Sequence, residues 1–390
     1  MEGKRFLRSI ELRNILSYGP EGVKLELEPL NVLIGANATG KSNLIQALRI
    51  LPAVPLDFAK PIREGGGIDE WIWKGAGGRG GARLGIQTVD PQDEGPGIEY
   101  LLGFTSESSR SFLEKEEIRG RNLEWIYRFR EALLPRSDQT GFGILALGPA
   151  EFSVRRDLSI LAQLRDPRQS LPELDYLTEM LPKIVFFQRT WLDEAARRPQ
   201  PADLPNDFLL ENGQNLGLVF SALLNRTGFR RLLIEKIRKL YPRVVDITVK
   251  VEGGTVQVFL HEAGLSAPTP SARISDGTFR YLCLLSILLH PEPPPLVCIE
   301  EPELGLHPDA LSAVGEMLIE ASQRTQLIVT THSPSLISAL SSVPESVVVC
   351  ERGEEGTTLT RLEPAKFKHW LDEYTLGDVW QIGALGGNRW

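Results

Sequence analysis

Residues Gly35 to Ser42 read GANATGKS, with the apolar run Leu30 to Ile34 before them and the apolar-periodic stretch Leu44 to Leu51 after them. A short apolar run ending at glycine predicts a buried strand, and the following periodicity predicts a helix. The chain must therefore build a strand, a glycine-rich turn and a helix in that order. Such a turn points backbone N–H groups at an anion, and the helix N-terminus adds a favourable dipole. The full GxxxxGK[ST] spacing assigns further roles: Lys41 to reach the β- and γ-phosphates and Ser42 to ligate Mg²⁺. Gly35, Ala36, Asn37, Ala38, Thr39, Gly40, Lys41, Ser42 and Asn43 are thus the candidate contacts for ATP with Mg²⁺. A chance glycine turn is the bland alternative, and the correct flanks on both sides weigh against it.

With 390 residues and 42% apolar content, the chain can bury a large core in one elaborate domain or in two to three lobes. Cys283, Cys298 and Cys350 each lie inside an apolar run and form no CxxC pair, so they read as small core residues of a reduced compartment. The opening MEGKRFLRSIEL carries charges throughout, and stretches such as Leu282 to Leu289 are too short to span a bilayer. A cytoplasmic protein with no membrane contact is expected. The net charge of −8 argues against a whole surface that binds nucleic acid nonspecifically, while leaving room for a local basic face.

Residues 5 to 34 alternate as two or three strands, RFLRSIELRNI, GVKLELE and LNVLIG, which predicts a sheet leading into the loop. ARLGIQTV and GIEYLLGF read as an antiparallel hairpin, helical patterns dominate from Ile160 to Leu240, and VVDITVKVEGGTVQVFLHEAG returns to alternation. The expected division is a first lobe over 1–190 with the phosphate loop and an antiparallel sheet, a helical region over 191–243, and a second lobe over 244–390.

The second lobe carries the remaining chemistry. In PPPLVCIEEPELGLHP the run Leu296 to Ile299 predicts a buried strand that delivers Glu300 and Glu301 at its end. Acids in that place can orient Mg²⁺, the role given to Glu300, and accept a proton from the attacking water, the role given to Glu301. In QLIVTTHSPSLI, Leu327 to Val329 predict another strand, whose end presents His332 where an imidazole can sense the γ-phosphate. Ser275, Asp276 and Gly277 precede an apolar helix from about Phe279 to Leu289. They are good N-cap residues, and equally a helix N-terminus that can present N–H groups to the phosphate held by another subunit.

The phosphate loop, ISDGT, IEEPELGLHP and TTHSP in this order resemble the ABC-type ATPases of the RecF, SMC and OLD branch, over nearly the whole chain. The resemblance implies an α/β head of the ABC type, with a mixed sheet, an antiparallel β subdomain and a helical subdomain. It also implies a homodimer in which two heads meet head-to-tail and sandwich ATP between the loop of one and Ser275 to Gly277 of the other. Two features depart from the wider family. ISDGT replaces the LSGGQ of transporter ATPases, which disfavours transport, and Glu300 stands where aspartate is usual, which implies slower turnover. The family's glutamine at a strand end matches Gln188 in KIVFFQ, with Gln87 second, so the implied metal set is Ser42, Glu300 and Gln188.

What the cycle drives is less constrained. NRTGFRRLLIEKIRKLYPR carries Arg226, Arg230, Arg231, Lys236, Arg238, Lys239 and Arg243 against Glu235, which suits either DNA phosphates or a solvated amphipathic helix packing Leu232, Leu233, Ile237 and Leu240 inward. No room is expected for a C-terminal nuclease, so any cutting falls to a separate nuclease or effector. Three functions compete: an ATP-gated dimeric switch in DNA repair or antiviral (anti-phage) defence, a nucleotide-binding scaffold with negligible turnover, and a transporter ATPase subunit.

Overall fold

The computed structural model describes residues 2–75, 80–90, 95–120, 125–128, 133–136, 143–146, 155–163, 171–189, 192 and 194–387. In chain order the strands are β1 (Leu7–Arg13), β2 (Val23–Glu26), β3 (Leu30–Ile34), β4 (Ala82–Val89), β5 (Pro96–Glu107), β6 (Arg110–Arg119), β7 (Trp125–Arg128), β8 (Leu133–Arg136) and β9 (Gly143–Ala146). They continue with β10 (Val185–Phe187), β11 (Gln200–Pro201), β12 (Val244–Glu252), β13 (Thr255–Glu262), β14 (Thr269–Pro270), β15 (Leu296–Glu300), β16 (Gln326–Thr330), β17 (Val347–Gly353) and β18 (Gly356–Arg361).

The central sheet has the order β10-β15-β16-β3-β17-β18, all parallel except the last pair. Its inner strands are continuous apolar runs because helices and the second sheet cover both faces, the environment parallel strands need. All five residues of β3 and of β16 are buried. Strand alternation splits the core in two: Val32, Ile34, Val297, Ile299 and Val329 face one apolar cluster, while Leu33, Leu296, Cys298, Ile328 and Cys350 face the other. All three cysteines are buried and free.

A second sheet, β2-β1-β4-β5-β6-β7, is antiparallel throughout. The expected 82–104 hairpin is its β4–β5 pair. The opening strands do not form one sheet with the loop strand, however. β1 and β2 stay in the antiparallel sheet, whereas β3 leaves it to lie between β16 and β17. Segments 1–190 and 244–390 therefore contribute strands to one common sheet. Smaller sheets join β11, β13, β12 and β14, and pair β8 with β9. Among the described residues, no helix is long and apolar enough to cross a membrane.

Candidate functional site

β3 ends at Ile34, and the helix Lys41–Leu48 starts at the end of the loop. Between them the backbone turns through positive φ at Gly35 (147°), Ala38 (62°) and Gly40 (102°). Both glycines are also forced by neighbours. A Cβ on Gly35 would lie 2.3 Å from the Cys350 carbonyl oxygen, and one on Gly40 would lie 2.3 Å from Thr357 Oγ1. The loop is clamped from the far end of the chain and from the antiparallel sheet. The fully buried Tyr18 hydroxyl donates to Gly40 O at 3.0 Å, and Thr357 Oγ1 donates to Thr39 O at 2.8 Å while lying 2.8 Å from Ser17 Oγ. Burial pushes the Tyr18 phenol well above its usual pKa, so it stays a donor.

Lys41 is buried, and its Nζ donates to Gly35 O at 2.9 Å and Ala36 O at 2.8 Å. Burial lowers its pKa, and the thiol of Cys350 and the carboxylates of Glu301 and Glu303 oppose that shift. Ser42 is exposed on the first helical turn beside half-buried Asn43, and Asn37 and Ala38 are exposed on the loop.

The acids stand two strands away. β15 ends at Glu300, which pairs with Thr330 of β16, and Thr330 pairs with Leu33 of β3. Parallel pairing thus brings the C-terminal ends of all three strands to one edge, the place where open α/β sheets bind ligands. Glu301 has φ 46°, a left-handed conformation that costs a non-glycine residue about 1–3 kcal/mol. Its N–H is held by Thr330 O at 2.9 Å. Burial raises the pKa of Glu300, whose Oε2 accepts the Arg189 N–H at 3.4 Å. Arg189 Nε lies 3.5 Å from Glu301 Oε2. His332 is half-buried, with a pKa lowered first by burial and then by Lys41, while Glu301 pulls it upward. Lys41, Glu301 and His332 therefore share one electrostatic environment.

The two glutamines differ in placement. Gln188 is exposed and follows β10 directly, beside the end of β15 through the Phe187–Ile299 pairing. Gln87 lies on β4 and donates to Glu99 at 3.2 Å, so its side chain serves the antiparallel sheet.

Ser275 caps the helix Asp276–Leu288, its Oγ accepting from Thr278 N at 3.2 Å. Asp276 pairs with Arg197 at 2.6 Å. Gly277 packs so tightly on the turn after β15 that a Cβ there would lie 2.2 Å from Gly305 O. Among the described residues, Ser275 to Gly277 make no hydrogen bond or ion pair to the Gly35–Ser42 loop of the same chain.

The basic helix, Phe229–Leu240, spends much of its charge internally. Just before it Arg226 pairs with Glu292, and on it Arg230 pairs with Asp246, Lys236 with Glu320 and Lys239 with Glu316, while Arg238 donates to Val244 O. Leu233 and Ile237 are buried as the amphipathic pattern requires, but Leu232 is exposed.

Sequence reasoning missed four residues of this site: Tyr18, Arg189, Glu303 and Thr357. Glu303 alone carried a visible signal, as the third acid of IEEPELG. Its Oε1 accepts from Thr331 Oγ1 at 2.7 Å and from His332 N at 2.8 Å. Among the described residues, no group of three or more His, Cys, Asp or Glu side chains forms a metal cage.

A family model described as "AAA domain, putative AbiEii toxin, Type IV TA system" matches residues 30–338. Over 139 residues the chain is 28% identical to the Old nuclease of Escherichia phage P2, a stretch covering 30% of this chain and 23% of the phage protein. The chain thus spans under a quarter of the length of that relative. An Smc head bound to the C-terminal winged-helix domain of ScpA superposes with TM-score 0.58 at 15% identity, covering 93% of this chain and 99% of that one. An Smc head with an extended coiled coil, bound to the C-terminal domain of ScpA from Pyrococcus furiosus, gives 0.57 at 14% identity, with 94% and 99% covered. At such identities the likeness is one of fold.

Proposed function

The chain belongs to this AAA-domain family, of ATPases related to OLD proteins and SMC heads, and on that premise we propose that it binds and hydrolyses ATP with Mg²⁺ at the edge where β3, β15 and β16 end. The observation that carries this is the parallel pairing that ends β3, β15 and β16 side by side, so that the loop to Lys41, Glu301 and His332 all follow neighbouring strand ends.

The residues present fit the nucleotide and its metal. The loop keeps Lys41 Nζ on its own carbonyls, Gly35 O and Ala36 O, a pair of neutral acceptors that a phosphate can replace. Ser42 and Glu300 are hard oxygen donors of the kind Mg²⁺ takes, since Mg²⁺ is held by one or two carboxylates plus substrate phosphates. When bound, the metal would neutralise phosphate charge. Lys41 would bind the β- and γ-phosphates, and the loop N–H groups and Asn43 would hold the triphosphate in place. Glu301 would take the proton of the attacking water, its carboxylate fixed by the strained backbone at the strand end. His332, kept neutral by burial and by Lys41, would orient that water or sense the γ-phosphate. Gln188 would complete the metal shell from the neighbouring strand.

The wider role we propose is an ATP-gated switch. Two heads would close head-to-tail, with Ser275, Asp276 and Gly277 of one facing the nucleotide of the other, to act on DNA or a partner effector in repair or anti-phage defence. Likeness to a phage nuclease and to heads that bind ScpA supports this reading. ISDGT in place of LSGGQ weighs against a transporter subunit. Nucleotide binding with negligible turnover is the second reading, favoured by Arg189 resting against Glu301. Hydrolysis measured with and without duplex and single-stranded DNA, with oligomer mass followed in the same samples, tests both. DNA-stimulated turnover with ATP-dependent dimers supports the switch, and absence of turnover under every condition refutes it in favour of the scaffold.

A further inference from the structure

We propose that Glu303 is the positioning residue that sets the His332 loop against the nucleotide, an inference that rests on the hydrolytic function above. A single oxygen, Oε1, receives two donors from adjacent residues, Thr331 Oγ1 at 2.7 Å and His332 N at 2.8 Å. Thr331 Oγ1 in turn accepts from Ser333 N at 3.0 Å. Three consecutive residues at the end of β16 thus hang on one carboxylate, twenty-eight to thirty positions away in sequence. The other oxygen, Oε2, is buried and has no hydrogen-bond partner. Native interiors rarely leave such an atom bare, and the exceptions concentrate where function requires them.

The turn after β15, closed by Leu304 N to Glu301 O and Leu306 N to Glu303 O, sets this carboxylate two residues beyond Glu301. Burial raises the pKa of Glu303, with Glu301 adding to the rise, and a charged Glu303 favours protonated Lys41. Glu303 does not need to touch substrate to matter. It fixes the backbone from which the His332 imidazole projects, and a displacement of about 1 Å in such a group can cost about 10²-fold in rate. The two donors on Oε1 identify what a substitute must supply. Glutamine keeps one acceptor oxygen of the same reach, so it preserves the positioning while removing the charge; alanine removes both.

The test compares Glu303→Ala and Glu303→Gln, with Thr331→Val as a milder variant that cuts one of the two bonds. In the nucleotide-free protein, amide hydrogen exchange at 331–333 reports the loop directly. Exchange should accelerate by about tenfold or more in the alanine variant and stay within about threefold in the glutamine variant. In steady state the alanine variant should lose about 10- to 100-fold in kcat with KM held within about threefold, and glutamine should restore most of that loss. Combined with His332→Ala, the alanine variant should add almost nothing further, because both act through the same imidazole. Unchanged exchange, a glutamine variant as impaired as alanine, or fully multiplicative losses would each overturn the proposal. Wild-type protein that fails to turn over would instead overturn the hydrolytic reading, and the exchange experiment would still decide the role of Glu303.

Discussion

Gly277→Ala sets two structural effects of similar size against each other. Gly277 sits in the first turn of the helix Asp276–Leu288 with an ordinary helical backbone, so alanine there should favour the helix by roughly 1 kcal/mol. Against this stands the backbone oxygen of Gly305, 2.2 Å from where the new Cβ would lie. An ordinary contact begins at 3.4 Å, so the two segments must part by 3.4 − 2.2 = 1.2 Å. Overpacking of that kind costs about 1–3 kcal/mol, which leaves a net loss of about 0–2 kcal/mol. The larger consequence is chemical. Gly305 lies in the turn closed by Leu304 N to Glu301 O and Leu306 N to Glu303 O, so a shift there moves both acids. A displacement near 1 Å should lower turnover by about 10²-fold, far more than the stability change suggests. Urea unfolding and steady-state ATP hydrolysis on the same preparation give both quantities. Turnover and stability indistinguishable from the parent would show that the Gly277–Gly305 contact yields without moving the acids.

Other expectations are more local. Tyr18→Phe should cost about 0.5–1.5 kcal/mol in denaturant unfolding, because it removes one of the two donors on the Gly40 carbonyl and leaves only the Leu44 N–H, and the cost should not vary across neutral pH since the phenol is never ionised there. A loss below about 0.3 kcal/mol would mean that the clamp is not formed. Burial holds His290 and His332 below the ordinary histidine range, so the unfolded chain takes protons that the folded chain refuses. Their stabilisation is whole above about pH 6.5 and is lost as pH falls from there through their lowered folded values. Raised carboxyls such as Glu300 and Glu303 act in the opposite sense, so the comparison must be between variants. His290→Gln should lose less stability than the parent between about pH 7.5 and 5.5, and equal losses would remove histidine from the account.

Local patterns made much of the fold legible. The loop, the strands carrying Glu300 and Thr330, the 244–262 hairpin and the capped helix at Ser275 all follow from signals within a few residues of one another. What stayed hidden depends on pairing across the chain. Nothing near Leu30 announces that β3 will leave its neighbours β1 and β2 for a place between β16 and β17. The same reason conceals the clamp, in which Thr357 reaches Thr39 from 318 positions away. Arg189 was invisible because its relation to Glu301 exists only once β10 lies beside β15. The basic helix failed in the other direction: its charges stood out in the sequence, but their partners Glu292, Asp246, Glu316 and Glu320 are brought to it by folding.

Glu301→Gln is the sharpest probe of joint action by Lys41, Glu301 and His332 in nucleotide hydrolysis when ATP affinity and hydrolysis are measured on the same sample. Affinity should stay within about threefold while hydrolysis falls by about 10²-fold or more, because the glutamine keeps the shape but cannot take the proton. Hydrolysis at the parental rate, with ATP still bound, would contradict that joint action.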